Sequence, residues 1–136
     1  FVNFDGTDDH NHYSTAYDLA HLARFALNNK VFEQAVQKKE MTVTDVTGEI
    51  SHRLETTNEL LGQIPEVKGI KTGWTPEAGE CFIGLVEIKG KEYITVILGS
   101  EDRFGETKEL ISWIKMILSR PSPEPSVFHG RVEGSL

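Results

Sequence analysis

The sequence has one cysteine, no long apolar run and fewer basic than acidic residues, and each of these features excludes a kind of structure or partner. Cys81 is its one cysteine, so no disulfide can form within the chain, and its neighbours Phe82 and Ile83 predict a buried, unreactive thiol. No apolar run approaches the roughly 18 residues that a membrane-spanning helix needs. Lysine and arginine number 14 against 21 aspartate and glutamate, which gives a net charge of -7. Nucleic-acid binding usually needs a basic face, so we expect no nucleic-acid partner.

The chain also lacks an initiating methionine. It opens on Phe1-Val2-Asn3, and we expect it to be the middle of a longer protein, so a missing signal peptide says nothing about location. With 136 residues, 38% of them apolar and 26% charged, the composition is typical of one globular unit. We expect one folded domain over residues 1–119. The proline-rich stretch beyond Arg120 predicts a flexible tail or linker over residues 120–136.

Two helices are predicted in the first third of the chain. Residues 3–13 are polar and turn-rich, which predicts a loop. Thr15 and Asp18 then fit a capping box, with the Thr15 side chain at the helix start and the Asp18 side chain reaching back. Apolar residues follow at helical spacing: Leu19, Leu22, Ala23, Ala26 and Leu27. Asn28-Asn29 ends this helix, and a second short helix is predicted over residues 31–37.

The rest of the chain favours strands followed by one helix. Residues 41–44 are strand-like, and residues 58–61 predict a short helical turn. Residues 81–88 and 93–98 are apolar on both alternating faces, and Lys89-Gly90-Lys91 between them predicts a hairpin turn. Because such strands need cover on both sides, we expect an α/β fold of the α+β type, with a central antiparallel sheet of three or four strands covered by helices. A last helix from Phe104 or Gly105 would lie across the sheet with this apolar stripe: Leu110, Ile111, Ile114, Ile117 and Leu118.

The tripeptide Lys71-Thr72-Gly73 is the short pattern with the most chemical content. Alone it is weak, because any tripeptide occurs by chance, and its simplest interpretation is a solvent-facing strand end with a turn glycine. Its context adds weight, since it lies in a predicted strand with Gly69 before it and two apolar strands after it. A strand edge can pair with an extended peptide, and a glycine there lets the peptide approach closely.

Four ordered segments together resemble one protein family. The segments resemble those of the serine D-alanyl-D-alanine carboxypeptidases, the low-molecular-mass penicillin-binding proteins. They are residues 12–20, residues 57–61, residues 69–81, and Val96-Ile97-Leu98-Gly99 followed by Arg103-Phe104. The resemblance covers roughly residues 1–118 and corresponds to the C-terminal half of the catalytic domain of that family. It implies part of a β-lactamase/penicillin-binding transpeptidase-like fold.

The resemblance also implies site roles for five residues. Lys71 would place positive charge near the nucleophile and the substrate carboxylate, which Thr72 would bind through its hydroxyl. Gly73 would allow close approach, and the backbone N–H of Trp74 would be one oxyanion-hole donor. Arg103 would hold the same carboxylate through two parallel hydrogen bonds. Trp74 differs from those family members that carry His or Tyr at this position, which leaves the role of its side chain open.

The catalytic serine of the family has no counterpart before Lys71. In that family the nucleophilic serine, the lysine three residues after it and a Ser-x-Asn element all precede the matched region. This chain has none of them before Lys71. Ser112 and Lys115 satisfy the Ser-x-x-Lys spacing, but Ser112 would point away from the apolar stripe, so we do not expect it to be a nucleophile. Asp8-Asp9-His10-Asn11-His12 has metal-ligand residue types, yet its simplest interpretation is a solvated loop. We expect no metal and no cofactor.

Three functions are compatible with this combination. The first is a fragment of a serine-type D-alanyl-D-alanine carboxypeptidase, inactive alone, whose full enzyme trims peptidoglycan stem peptides through an acyl-serine intermediate. Its expected partners are stem peptides ending in D-Ala-D-Ala, β-lactams and the missing N-terminal half of the domain. Its expected location is periplasmic or extracytoplasmic, with membrane association of the full protein left open. The second is a non-catalytic D-alanyl-peptide-binding or interaction module, and the third, a β-lactamase-related fragment, fits the flanking residues less well.

Overall fold

The computed structural model describes residues 1–120, which form three helices and five strands. In chain order they are α1 (Ala16–Ala26), α2 (Lys30–Val36), β1 (Glu40–Thr44), β2 (Ser51–Glu55), β3 (Val67–Thr75), β4 (Gly79–Ile88), β5 (Lys91–Ser100) and α3 (Arg103–Leu118). β3, β4 and β5 form an antiparallel sheet in that order, and β1 pairs with β2 in a separate hairpin. The expected α+β fold with a three-stranded antiparallel sheet is confirmed. From residue 121 onward, the predicted tail lies outside the described residues.

Side-chain caps fix the starts of the first two helices. The Thr15 hydroxyl accepts the backbone N–H of Asp18 at 3.1 Å, as the capping box predicts. The Asp18 carboxylate also reaches back to Thr15, but it accepts a hydrogen bond from the Thr15 hydroxyl, at 2.9 Å. The Asn29 side-chain oxygen accepts the N–H of Val31 at 2.9 Å, and α2 therefore begins at Lys30, one residue before the predicted position.

The turn between β4 and β5 is the predicted hairpin. Lys89 and Gly90 are its two central residues, with φ of 52° and 72°. Positive φ at both central positions is the type I′ geometry, whose twist matches that of the flanking strands. The predicted turn at residues 58–61 is also present, where the N–H of Leu61 donates to the carbonyl of Asn58 at 3.1 Å.

The core lies mainly on one face of β4. Phe82 and Val86 are fully buried there, and the Phe104 ring meets Phe82 edge-on with ring centroids 5.7 Å apart. The buried cluster on this face is Leu60, Val67, Phe82, Val86, Ile88 and Ile111. Leu85, which alternation places on the other face, is also 2% exposed, and α1 contacts both β5 and β4. β4 is therefore covered on both faces, as its apolar pattern predicts.

The apolar stripe of α3 differs in part from the predicted one. Ile117 is 39% exposed, so its assignment to the buried stripe is wrong. The stripe instead continues toward the helix start, where Thr107 is fully buried. Side chains spaced by three and four residues share one helix face, and here they are Phe104, Thr107, Ile111, Ile114 and Leu118. The helix begins at Arg103, just before the predicted start, because the Asp102 carboxylate accepts the N–H of Gly105 at 2.8 Å.

Gly69 brings α2 close to β3. A Cβ at this position would lie 2.9 Å from the backbone carbonyl oxygen of Val36, and φ there is +148°. Only glycine suits both constraints. The strand register shifts between Val67 and Gly69, so the segment beyond this irregularity is the one that pairs continuously with β4 up to Thr75. None of the helices in residues 1–120 has the length and apolarity needed to cross a membrane.

Replacing Phe82 by alanine tests the position of the core. Phe82 is fully buried, so Phe82→Ala should lower the free energy of unfolding by about 3–5 kcal/mol. Urea unfolding followed by circular dichroism measures the change. Phe25→Ala is the matched control, because Phe25 is 76% exposed and its removal should change stability by less than about 0.5 kcal/mol. Equal losses in the two variants would contradict this core.

An ion pair ties α3 to the segment before β3 and predicts a pH effect. Lys115 Nζ lies 2.5 Å from the Glu66 carboxylate, and this hydrogen bond lowers the pKa of Glu66 below its usual value of 4.5. Because the Glu66 pKa is lower in the folded chain than in the unfolded chain, the ionised carboxylate stabilises the fold above pH 4.5. This contribution disappears as the pH falls through the pKa that Glu66 has in the folded chain. Lys115→Met should therefore cost up to about 1 kcal/mol at pH 7 and much less at a pH low enough to protonate Glu66 in the folded chain. Urea midpoints at both pH values test this, with Lys108→Met on the same helix as control; an equal cost at both would contradict it.

Candidate functional site

The free edge of β3 forms one wall of a cleft of about 1170 Å³. Within residues 1–120, β3 pairs with β4 alone, so its other edge has no strand partner, and residues 71–75 of β3 line the cleft. The opposite wall comes from the N-terminal loop, including Asp8, His12 and Tyr13. The loop predicted over residues 3–13 is thus confirmed, and it also borders the cleft.

Arg103 reaches the cleft from the first turn of α3. Its Nη1 donates to the carbonyl oxygen of Gly73 at 3.0 Å, across thirty residues of sequence. The Glu80 carboxylate accepts the backbone N–H of Arg103 at 3.0 Å and also lies 4.0 Å from its Nη1. The Arg103 side chain is 15% exposed, and its Nε is buried without a hydrogen-bond partner among the described residues. A guanidinium is thereby fixed at the end of the Lys-Thr-Gly segment.

Lys71 and Thr72 occupy different environments although they are neighbours on β3. Lys71 is exposed on the cleft wall, where its ammonium group donates to the carbonyl oxygen of Thr72. Thr72 is 7% exposed and lies opposite the core residue Phe82 in the strand register. Its hydroxyl is paired with the Thr57 hydroxyl at 2.5 Å. Both threonines line the cleft.

Gly73 leaves the next part of β3 open. It pairs with Cys81 in the register, and a Cβ added to Gly73 would meet only the Cβ of Cys81 at 3.8 Å. Cys81 is half-buried and lines the cleft, so the prediction of a buried thiol is wrong. The physical reason is that the opposite residue is a glycine, which has no side chain to cover it. The Trp74 side chain is 63% exposed, which leaves the indole largely uncovered.

Carboxyl groups give the cleft a negative region beside the two cations of β3 and α3. Asp8, from the loop, and Glu77, from the turn after β3, both line the cleft. A hydrogen bond between them raises the pKa of Glu77 and lowers the pKa of Asp8. The pair therefore holds a proton on Glu77 more readily than an isolated glutamate would. Lys71 and Arg103 supply the positive charge on the same cleft.

Neither of the two other patterns from the sequence, Ser112 with Lys115 and the loop from Asp8 to His12, forms the nucleophile or the metal site that its residue types could suggest. Ser112 is exposed on α3, its hydroxyl donates to the Lys108 carbonyl at 2.9 Å, and Lys115 is engaged with Glu66. In the loop, His12 Nδ1 accepts the N–H of Val2 at 3.2 Å. Within residues 1–120, no three His, Cys, Asp or Glu side chains come together in a group that could hold a metal ion.

Two further residues, Thr57 and Glu80, contact the predicted site residues Thr72 and Arg103, and the sequence predicts a role for neither. Thr57 belongs to a segment that carries the family resemblance, and that membership is the one signal that could have pointed to it. Glu80 has no such signal, because its contact with Arg103 spans 23 residues and depends on the β3–β4 register. The five residues for which the resemblance implies site roles lie together along β3 and the start of α3: Lys71, Thr72, Gly73, Trp74 and Arg103.

Comparison with known proteins identifies the family. The family model described as D-alanyl-D-alanine carboxypeptidase matches residues 1–102. A D-alanyl-D-alanine carboxypeptidase of Streptomyces sp. (strain K15) is 35% identical over 104 residues, which are 74% of this chain and 36% of that protein. D-alanyl-D-alanine carboxypeptidase DacF of Bacillus subtilis is 32% identical over 103 residues, which are 74% of this chain and 25% of that protein.

Solved structures agree with the sequence comparison. The crystal structure of the Streptomyces K15 DD-transpeptidase superposes with a TM-score of 0.76 and 31% identity, over 83% of this chain and 46% of that one. The cefotaxime-bound penicillin-binding protein D2 of Listeria monocytogenes gives a TM-score of 0.68 and 37% identity, over 82% of this chain and 46% of that one. The chain spans less than half of each of these relatives. The resemblance found in the sequence is confirmed, and the chain belongs to the D-alanyl-D-alanine carboxypeptidase family.

Proposed function

We propose that this chain is the peptide-docking part of a serine D-alanyl-D-alanine carboxypeptidase. The observation that carries the proposal is the contact of the Arg103 guanidinium with the Gly73 carbonyl at the edge of the cleft. That contact leaves other N–H groups of the guanidinium to bind an anion, and a planar guanidinium suits the carboxylate at a peptide C-terminus. The free edge of β3 beside it suits the extended backbone of the same peptide.

The chemistry assigned to the complete enzyme is hydrolysis through an ester. A serine outside this region adds to the carbonyl carbon of the penultimate D-alanine, the terminal D-alanine departs with its amine protonated, and water then hydrolyses the acyl-serine. A β-lactam would acylate the same serine by opening its ring. Lys71 would stabilise negative charge near the reacting carbonyl, and the Trp74 N–H would bind the oxyanion, a contact worth about 3 kcal/mol in related sites.

The partners and the location follow from that substrate. Peptidoglycan stem peptides lie outside the cytoplasmic membrane, so the proposal places the full protein on the extracytoplasmic side. The serine and its lysine base would come from an N-terminal half that packs beside the cleft. In this assignment residues 1–120 bind the end of the peptide, and the other half supplies the nucleophile.

A non-catalytic peptide-binding module is the second candidate. It is favoured by one observation, that residues 1–120 assemble Lys71, Thr72 and Arg103 on one cleft, while the one Ser-x-x-Lys pattern of the chain lies on the exposed surface of α3. The coding region upstream of Phe1 separates the two candidates. Ser-x-x-Lys and Ser-x-Asn there would favour the enzyme, and their absence would favour the module. The matches to carboxypeptidases and a transpeptidase give a β-lactamase no comparable support.

Incubation with a fluorescent penicillin tests where the nucleophile lies. The 136-residue chain should show no covalent labelling on a denaturing gel, because Ser112 is exposed and lies apart from the cleft. The Ser112→Ala variant should behave identically. A labelled band from the chain, lost in Ser112→Ala, would contradict the assignment of the nucleophile to another segment.

Replacing Arg103 tests the docking site itself. Arg103→Ala should weaken binding of N-acetyl-D-alanyl-D-alanine by about tenfold to a hundredfold, because hydrogen bonds to charged groups contribute about 1.5–3 kcal/mol. NMR titration at millimolar peptide measures the affinity. Arg53→Ala is the matched control, because Arg53 lies on the β1–β2 hairpin with 68% of its side chain exposed. Equal affinities of Arg103→Ala and the unmodified chain would contradict the proposed carboxylate site.

A further inference from the structure

Thr57 lines the cleft, and the proposed docking function leaves its role open. It lies between β2 and β3, and its hydroxyl is 2.5 Å from the hydroxyl of Thr72. The turn that follows it is buried. Asn58 is 4% exposed and accepts the N–H of Leu60 at 3.2 Å through its side-chain oxygen, and Leu60 is 1% exposed. The Thr57 hydroxyl that contacts Thr72 is therefore held next to a buried turn.

The hydrogen count of the hydroxyl pair decides what Thr72 can do. Each threonine hydroxyl has one hydrogen to donate and can accept from others. If Thr72 donates to Thr57, it has no hydrogen left for a ligand. If Thr57 donates to Thr72, the Thr72 hydrogen is free to point into the cleft, and the bond that Thr72 accepts strengthens the bond that it donates. A negative acceptor in the cleft favours this second arrangement.

We propose that Thr57 is a positioning residue, which donates to Thr72 and thereby directs the Thr72 hydroxyl hydrogen at the C-terminal carboxylate of the bound peptide. The inference rests on the proposed docking function and adds a second residue to its carboxylate site. Thr57 acts through Thr72, and its own contact with the peptide is not required.

The same arrangement gives the site a preference for acids over amides. A carboxylate accepts at both oxygens and forms hydrogen bonds roughly twice as strong as neutral ones. A C-terminal amide has one neutral acceptor, its carbonyl oxygen. Its NH₂ group only donates, so it cannot accept a hydrogen bond from Arg103 or from the Thr72 hydroxyl. Loss of the Thr57 hydroxyl should therefore weaken binding of the acid and leave binding of the amide nearly unchanged.

The test compares two ligands on four forms of the full 136-residue chain. N-acetyl-D-alanyl-D-alanine and its C-terminal amide are titrated, and the backbone signals of Gly73 and Trp74 are followed by NMR. The forms are the unmodified chain, Thr57→Val, Thr57→Ser and the control Thr42→Val, in which an exposed threonine of β1 is replaced. In Thr57→Val, the affinity for the acid should fall about tenfold and that for the amide less than about twofold. Thr57→Ser should restore the preference, and Thr42→Val should match the unmodified chain.

Each other outcome contradicts a defined part of the proposal. An unmodified chain with no preference for the acid would overturn the docking function and the role of Thr57 with it. A preference that survives in Thr57→Val would overturn the role of Thr57 alone. Equal weakening of acid and amide, accompanied by a lower melting temperature, would show that Thr57 is structural. Thr57→Ala replaces Thr57→Val if the valine variant does not fold.

Discussion

The hydrogen bond from the Arg103 guanidinium to the Gly73 carbonyl is the contact on which the arrangement of the cleft depends. It joins the first turn of α3 to the edge strand across thirty residues of sequence. Two further contacts hold that turn in place, because the Glu80 carboxylate accepts the Arg103 N–H and the Asp102 side chain caps the helix. Farther along α3, Ile111 is buried against the sheet. The guanidinium therefore sits on a rigid support beside the strand.

This support fixes the position of a positively charged group beside β3. A strand edge offers backbone groups to many extended peptides, so it gives little specificity by itself. Arg103 marks one end of the edge with positive charge, and the paired hydroxyls of Thr57 and Thr72 lie along the same cleft. The carboxyl groups of Asp8 and Glu77 border the cleft as well. The distribution of charge would orient a peptide that has an anionic end.

The sequence predicts those parts of the fold that depend on local interactions. The Thr15 cap, the Lys89-Gly90 turn and the two-sided burial of β4 follow from residues close together in the chain, and all three are observed. The exposure of Cys81 could not be predicted, because it depends on Gly73 lying opposite in the register. The Thr57–Thr72 hydroxyl pair has the same origin, since it joins two segments whose proximity is set by tertiary packing.

The edge of β3 that has no strand partner within residues 1–120 has a second consequence, which concerns the solubility of the chain. An unpaired strand can add to the same strand of another copy and so start aggregation, and natural proteins oppose this with edge lysines and strand irregularities. β3 has both, in the exposed Lys71 and the register shift between Val67 and Gly69. Lys71 would thus protect the edge electrostatically as well as serve the cleft. A substitution that removes this charge would combine two effects, so a loss of peptide binding in such a variant is interpretable only beside a measurement of its oligomeric state.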